Sequence, residues 1–361
     1  MKMAAVTAAM VKELRELTGA GMMDCKKALG ETDGDMDAAI EFLKKSGAAK
    51  MEKKASRIAA EGICRVAVNG NEAVVVEVNS ETDFVAKNEV FQEFVQTIAD
   101  TALASACCGG KNGEDVQTLL DAGLTAEIAE KTLKIGEKLS FRRFEKVSGD
   151  VVATYIHGGG KIGVLVAGTG ATGDEAKEAL TNIAMQVAAM NPQYIGRADI
   201  SEEALAKIRD DVVIGSLAAP DTLPKPILNK LIEKALNGGL WSAEDAAAYE
   251  EQKNNKFLFN FLSAEAKSVL INLAMEDKDA IAQEKMFAGA IEGRIAKQLK
   301  EICLMDQVYV RAEDGKQSVA NYIASVSKDL AIAKFVRFEV GEGMEKKNED
   351  FAAEVAAQMN A

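Results

Sequence analysis

Two stretches of this chain repeat one pattern: a pair of short runs rich in β-branched residues joined by a tight turn, then an amphipathic helix. In the first, Ile63 to Val68 and Ala73 to Val78 flank Asn69-Gly70. Asn-Gly supplies the positive φ that a two-residue hairpin turn demands, so the spacing predicts antiparallel strands. Phe91, Phe94, Val95, Ile98 and Ala102 then share one helical face. In the second, Val151 to Ile156 and Ile162 to Ala167 flank Gly158-Gly159-Gly160, followed by a stripe of Leu180, Ile183, Ala184 and Val187. A hairpin has an apolar face that something must cover. Each unit therefore predicts an antiparallel sheet with a helix on one side, and together they predict a duplicated strand-strand-helix core in an α+β fold.

Around this core the periodicity is helical. Val6, Met10, Leu14 and Leu17 line one face, as do Met36, Ala39, Ile40 and Leu43, with breaks at Thr18 to Gly21 and Thr32 to Asp35. These spacings predict a compact three-helix module. Lys44, Lys45, Lys50, Lys53, Lys54 and Arg57 read as a basic helical linker after it, either solvated or used for docking. Residues 201 to 317 alternate apolar and charged residues over long runs, with Pro220, Pro224 and Pro226 clustered, which predicts bent helices in an arm. A strand signal returns at Phe335 to Val340, and Asp350 to Gln358 reads as a short closing helix.

Charge and cysteine usage narrow the class of function. A net charge of -13 disfavours a nucleic-acid binder, whose affinity needs a cationic face to displace counterions from phosphates. A protein partner is expected instead. No apolar run has the ~18 residues of a membrane span, and Lys12 and Glu13 interrupt any signal-peptide core, so a cytoplasmic location is expected. The five cysteines, Cys25, Cys64, Cys107, Cys108 and Cys303, form no C-x-x-C pair, and their odd number suits a reducing compartment.

Three motifs offer chemistry. Gly168-Thr169-Gly170-Ala171-Thr172-Gly173 matches the dinucleotide fingerprint between a strand and a helix. Its strand belongs to a hairpin, however, and Asn191-Pro192-Gln193 stands where a ribose-binding carboxylate is required, so no cofactor is expected. The sole histidine, His157, has no second histidine with which to build a metal site or a nucleophilic triad, so neither a metal nor a catalytic residue is expected. It is a polar turn residue or a contact to a partner. Thr82-Asp83-Phe84-Val85-Ala86-Lys87-Asn88 follows the first hairpin, where the strand ends in Asn79-Ser80-Glu81. Phe84 there is either a core ring or a ring offered to a partner, and its position alone leaves both open.

That segment resembles the T-D-F-V-A-K junction of the elongation factor Ts family. Leu14-Arg15-Glu16 with Thr18-Gly19-Ala20-Gly21-Met22-Met23-Asp24-Cys25-Lys26-Lys27-Ala28-Leu29 is similar to the family's N-terminal signature on a small ubiquitin-associated-type domain. Lys134-Ile135-Gly136-Glu137, Arg142-Arg143-Phe144, His157 and Lys161 to Val166 resemble its two core subdomains, and Arg337 to Gly343 with Asp350 to Val355 resemble its ending. The likeness runs in order over roughly residues 5 to 200 and 285 to 358. It implies a helical domain and linker over 1–55, core subdomains over 56–148 and over 149–200 plus 318–350, a helical arm over 201–317, and a closing helix over 351–361.

The family likeness also implies a function: guanine-nucleotide exchange on elongation factor Tu, bound in its GDP and nucleotide-free forms, with no bond chemistry. Thr82, Asp83, Phe84 and Val85 would dislodge the partner's Mg²⁺. Arg15, Met22, Met23 and Lys26 would dock the helical domain, while Ile135, Gly136 and His157 would lie on the core contact surface. The arm leaves room for a homodimer. Two departures stand out. Lys161 replaces a family arginine, losing a planar fork of donors. Residues 222 to 278 carry no family motif and read as an insertion whose removal should spare function. Rival readings are an adaptor that uses the three-helix module and an NAD-dependent enzyme.

Overall fold

Helix α1, Ala8–Thr18, starts where the Thr7 hydroxyl accepts the Met10 N–H and stops at Gly19, whose left-handed φ of 64° returns its N–H to the Arg15 carbonyl. With α2, Met22–Glu31, and α3, Met36–Lys54, it encloses Leu14, Cys25, Leu29, Ala39 and Leu43. The computed structural model describes residues 6–345, so the closing helix expected over 351–361 lies outside the described residues.

The basic run expected as a helical linker is helical from Lys44 to Lys54, where it continues α3 without a break. At Gly47 a Cβ would lie 2.9 Å from the Ala129 carbonyl oxygen, so the glycine lets α3 lie against a later helix. That helix also contributes Leu133 to the module's core.

The first sheet begins with β1, Glu61–Asn69, and β2, Glu72–Ser80, paired antiparallel with Glu61 opposite Ser80. A one-turn helix α4, Asp83–Ala86, and then α5, Glu89–Ala104, follow. Next come β3, Gly109–Gly110, α6, Val116–Leu119, α7, Thr125–Ile135, and β4, Ser140–Ser148, giving the strand order β1-β2-β4-β3. The second sheet contains β5, Val151–His157, β6, Ile162–Thr169, and β7, Ala331–Glu339, in that order and antiparallel throughout, with α8, Asp174–Met190, against β5 and β6. The fold is α+β, and each predicted hairpin gains a further long strand on the same side.

The two sheets share a core. Cys64, Val75 and Val147 of the first meet Leu165, Val336 and Phe338 of the second, while Val74, Val76 and Val78 face α5. Strand β2 is thus buried on both faces. A Cβ at Gly163 would come within 2.8 Å of Val75 and 2.9 Å of Cys64, which is why that strand carries glycine where the sheets touch.

Neither β4 nor α7 was legible as an element in the sequence. In β4 the reason is chemical: its Phe-Arg-Arg-Phe run places charge inside. Arg143 Nε donates to Glu77 Oε2 at 2.6 Å and Arg142 Nη1 to Glu77 Oε1 at 2.9 Å. Glu77 is fully buried, and its Oε1 also accepts the Gly341 N–H at 2.9 Å and the Asn79 amide at 3.2 Å.

By compactness the chain falls into two units, Met1–Asn191 with Tyr309–Ala361, and Pro192–Val308. The second is helical: α9, Glu202–Leu217, α10, Lys225–Asn237, α11, Ala243–Gln252, α12, Ala264–Glu276, α13, Lys278–Gln283, and α14, Lys285–Ile302. Here the insertion reading is corrected. Ile227, Leu231, Trp241 and Leu270 from residues 222 to 278 share one core with Leu217, Phe287 and Ile291 from outside it, and Trp241 Nε1 donates to the Ala266 carbonyl at 3.1 Å. The segment is part of the unit's interior rather than an addition to it. Among the described residues, no helix is long and apolar enough to cross a membrane.

Candidate functional site

The segment after β2 turns sharply because Thr82 caps α4, its hydroxyl accepting the Val85 N–H at 3.4 Å. One helical turn sends Phe84 and Val85 in different directions. Val85 joins the sheet-helix core. Phe84 is 80 % exposed, the most exposed large apolar side chain among the described residues. The alternative left open by the sequence is decided: this ring is not core. An exposed ring of this size forgoes about 1.5 to 3 kcal/mol of burial, an arrangement that suits a contact outside the chain.

Around the ring the corner is charged. Asp83 pairs with Lys87 at 2.6 Å, one helical turn on, and the Lys87 ammonium lies 6.0 Å from the Phe84 centroid. The hydrogen bond from Lys87 holds the Asp83 carboxyl below the usual carboxylate range, with the charges of Lys87 and Lys161 adding to it. Lys161 sits at the tip of the second hairpin and reaches Glu61 at 2.6 Å, which places the glycine turn beside the corner. His157, exposed at the same tip, shares a 3.0 Å hydrogen bond between its Nδ1 and the Tyr155 hydroxyl.

The loop after α7 closes the site. Gly136 ends that helix in the left-handed region, φ 87°, and Ile135 is half-buried against the core. Lys54 of α3 donates to the Gly136 carbonyl. Two carboxylates absent from the sequence-level reading of the site then join loop to corner. Glu137 accepts the Thr82 N–H at 3.0 Å and the Thr82 hydroxyl at 2.7 Å, while Glu81 accepts the Lys138 N–H at 2.6 Å and the Arg57 guanidinium at 3.1 Å. The sequence held a faint signal for Glu137, a carboxylate directly after a helix-ending glycine, but nothing to say what it would meet.

The structure therefore brings the Thr82 to Phe84 corner, Ile135 and Gly136, and the His157 hairpin tip into one region. Arg15, Met22, Met23 and Lys26 form a second patch on α1 and α2. There Met22 and Met23 are 59 % and 74 % exposed, beside Val6, Val11 and Lys12 around a groove of about 430 Å³. Flexible thioethers ringed by cations suit an adaptable contact with an acidic protein surface.

The glycine-rich segment does not sit in the geometry of a dinucleotide fingerprint. In Gly168 to Gly173, Gly170 is pressed against a neighbouring loop, where a Cβ would lie 2.0 Å from the Asp329 carbonyl oxygen. Its strand, β6, has antiparallel neighbours on both sides, whereas a dinucleotide fingerprint works from a parallel βαβ unit. Among the described residues, no three His, Cys, Asp or Glu side chains gather as a metal-holding group.

A family model described as Elongation factor TS matches residues 81–342, which span the corner, strands β3 and β4 of the first sheet, the second sheet and the helical unit. The elongation factor Ts of Clostridioides difficile (strain 630) is 42 % identical over 369 aligned residues, covering 99 % of this chain and 100 % of that protein. A match of this extent, over a structure that presents the junction segment at an exposed corner, establishes that the chain belongs to the elongation factor Ts family of translation elongation factors.

Proposed function

We propose that the protein is a guanine-nucleotide exchange factor that acts on elongation factor Tu in the cytoplasm, binding its GDP and nucleotide-free forms and making or breaking no covalent bond. The observation that carries this reading is Phe84, an aromatic ring held outside its own core on a braced turn. A translational GTPase grips its nucleotide through phosphate-binding backbone and a bridging Mg²⁺. Exchange requires only that this grip be weakened.

Phe84 enters the partner beside the metal-bearing segment, and Asp83 accompanies it. The Mg²⁺ belongs to the partner, and no residue of this chain is needed to ligate it. Coupling between two ligands of one protein is reciprocal, so a factor that lowers GDP affinity is itself held less tightly when GDP is bound. The three-body complex then falls apart in either direction. A buried aromatic anchor contributes about 2 to 4 kcal/mol on truncation, and each 1.4 kcal/mol is about tenfold, so one ring is adequate to the task. The α1–α2 patch with Arg15, Met22, Met23 and Lys26 supplies docking, and Ile135, Gly136 and His157 extend the contact.

The test is stopped-flow release of labelled GDP from elongation factor Tu. Phe84→Ala should slow release at saturating factor by about 30- to 700-fold while binding stays measurable. Release at the unsubstituted protein's rate would refute the reading and favour an adaptor that binds without exchange.

A further inference from the structure

Residues 81–82 and 137–138 exchange acceptors. The Glu81 carboxylate takes the backbone N–H of Lys138, and the Glu137 carboxylate takes the backbone N–H of Thr82, at 2.6 Å and 3.0 Å. Each side chain also holds a second donor: Arg57 on Glu81, and the Thr82 hydroxyl on Glu137 at 2.7 Å. Lys138 Nζ continues the chain of contacts to the carbonyls of Ala55 and Arg57, at 2.6 Å and 2.9 Å. The end of α3, the loop after α7 and the Phe84 corner are thus tied by charge-assisted hydrogen bonds between residues 24 to 83 positions apart in sequence.

We infer that Glu137 is a positioning residue for exchange: its carboxylate clamps Thr82 and so fixes where α4 presents Phe84. This rests on the exchange function proposed above. The physical case is that α4 has only four residues, too few to hold itself as a helix. Besides the Thr82 cap and the Asp83–Lys87 pair, its second half is held by the inward Val85 and Ala86 and by the Gln92 amide on the Ala86 carbonyl, whereas its start is held by Glu137 and by the Ser80 hydroxyl on the Thr82 carbonyl. A bidentate acceptor anchors the first residue of the turn, and an exposed ring two bonds from a backbone that can swing would lose the placement a wedge requires. Because docking rests on the separate α1–α2 patch, a loosened corner costs speed and spares affinity. That separation distinguishes positioning from a general structural role.

Glu137→Ala should lower the maximal rate of GDP release from elongation factor Tu about tenfold, as expected for losing a charged hydrogen bond, with the half-saturating concentration changed less than about twofold. Thr82→Val should match it, and the double variant should be no slower than the slower single variant. Amide hydrogen exchange from Thr82 to Lys87 in the free protein should rise about tenfold in Glu137→Ala. A raised half-saturating concentration with an unchanged maximal rate would overturn the inference, as would additive losses in the double variant or unchanged amide exchange. Phe84→Ala, run in parallel, separates the two layers. Slow release in Phe84→Ala beside normal release in Glu137→Ala removes the positioning role alone, whereas normal release in Phe84→Ala removes the exchange reading and this role with it.

Discussion

Glu77 should be among the most costly side chains to remove. Its carboxylate is wholly buried and receives Arg142, Arg143, the Gly341 N–H and the Asn79 amide. Arg143 is 3 % exposed, with its guanidinium 4.2 Å from the Phe338 centroid and its other bonds going to the Glu339 carbonyl and Glu342. Glu77→Ala leaves that cation enclosed with one partly exposed carboxylate as its counterion. Breaking a buried pair by removing one partner costs about 3 to 5 kcal/mol. At about 2 to 4 °C per kcal/mol for a unit of this size, the melting point of the sheet-bearing unit should fall by roughly 6 to 20 °C. Glu77→Gln keeps volume and an acceptor and should lose about half as much. Two thiols make the assay specific. Cys64, buried between the sheets, with burial pushing its thiol pKa up, alkylates only when that unit opens, while buried Cys303 reports on the helical unit. Pulse alkylation across a urea series, read by mass spectrometry, should shift the Cys64 midpoint. A Cys64 shift worth less than about 1 kcal/mol would refute the assignment of stability to this ion cluster.

Two further outcomes are expected. Lys87→Ala should return the Asp83 carboxyl to the ordinary range in an NMR titration, since Lys87 is the main cause of its depression. A depressed carboxylate stabilises the fold above its unfolded pKa and loses that contribution as pH falls through the folded value, so the corner should loosen at lower pH in the unsubstituted protein than in Lys87→Ala; identical titrations would contradict the pairing. Deleting residues 222–278 should uncover Leu217, Phe287 and Ile291 and so raise binding of a hydrophobic dye without denaturant; unchanged dye binding would show that the remaining helices close on themselves.

Much of this architecture was readable from residue order because its signals are local. Asn69-Gly70 forces a hairpin wherever it lies, and apolar residues at helical spacing declare the faces of α5 and α8 without reference to the rest of the chain. The T-D-F-V-A-K segment was recognisable for the same reason. Strand β4 escaped because its identity depends on a distant partner: two adjacent arginines look solvated until Glu77, 66 positions from Arg143, is found beside them. Residues 222 to 278 escaped as core because an amphipathic stripe does not name the surface it will cover.

Whether Phe84 faces inward or outward could not be read from its neighbours, since a ring at a strand-helix junction satisfies either pattern. One helical turn decides it, turning Val85 into the sheet-helix core and Phe84 away. The turn is held in place by Glu137 from a loop 55 residues on. Local chemistry chose the elements, because turns and stripes act over a few residues. The exposure of the ring and the bracing behind it belong to the folded chain, because hydrogen bonds between distant segments form only when packing brings them together.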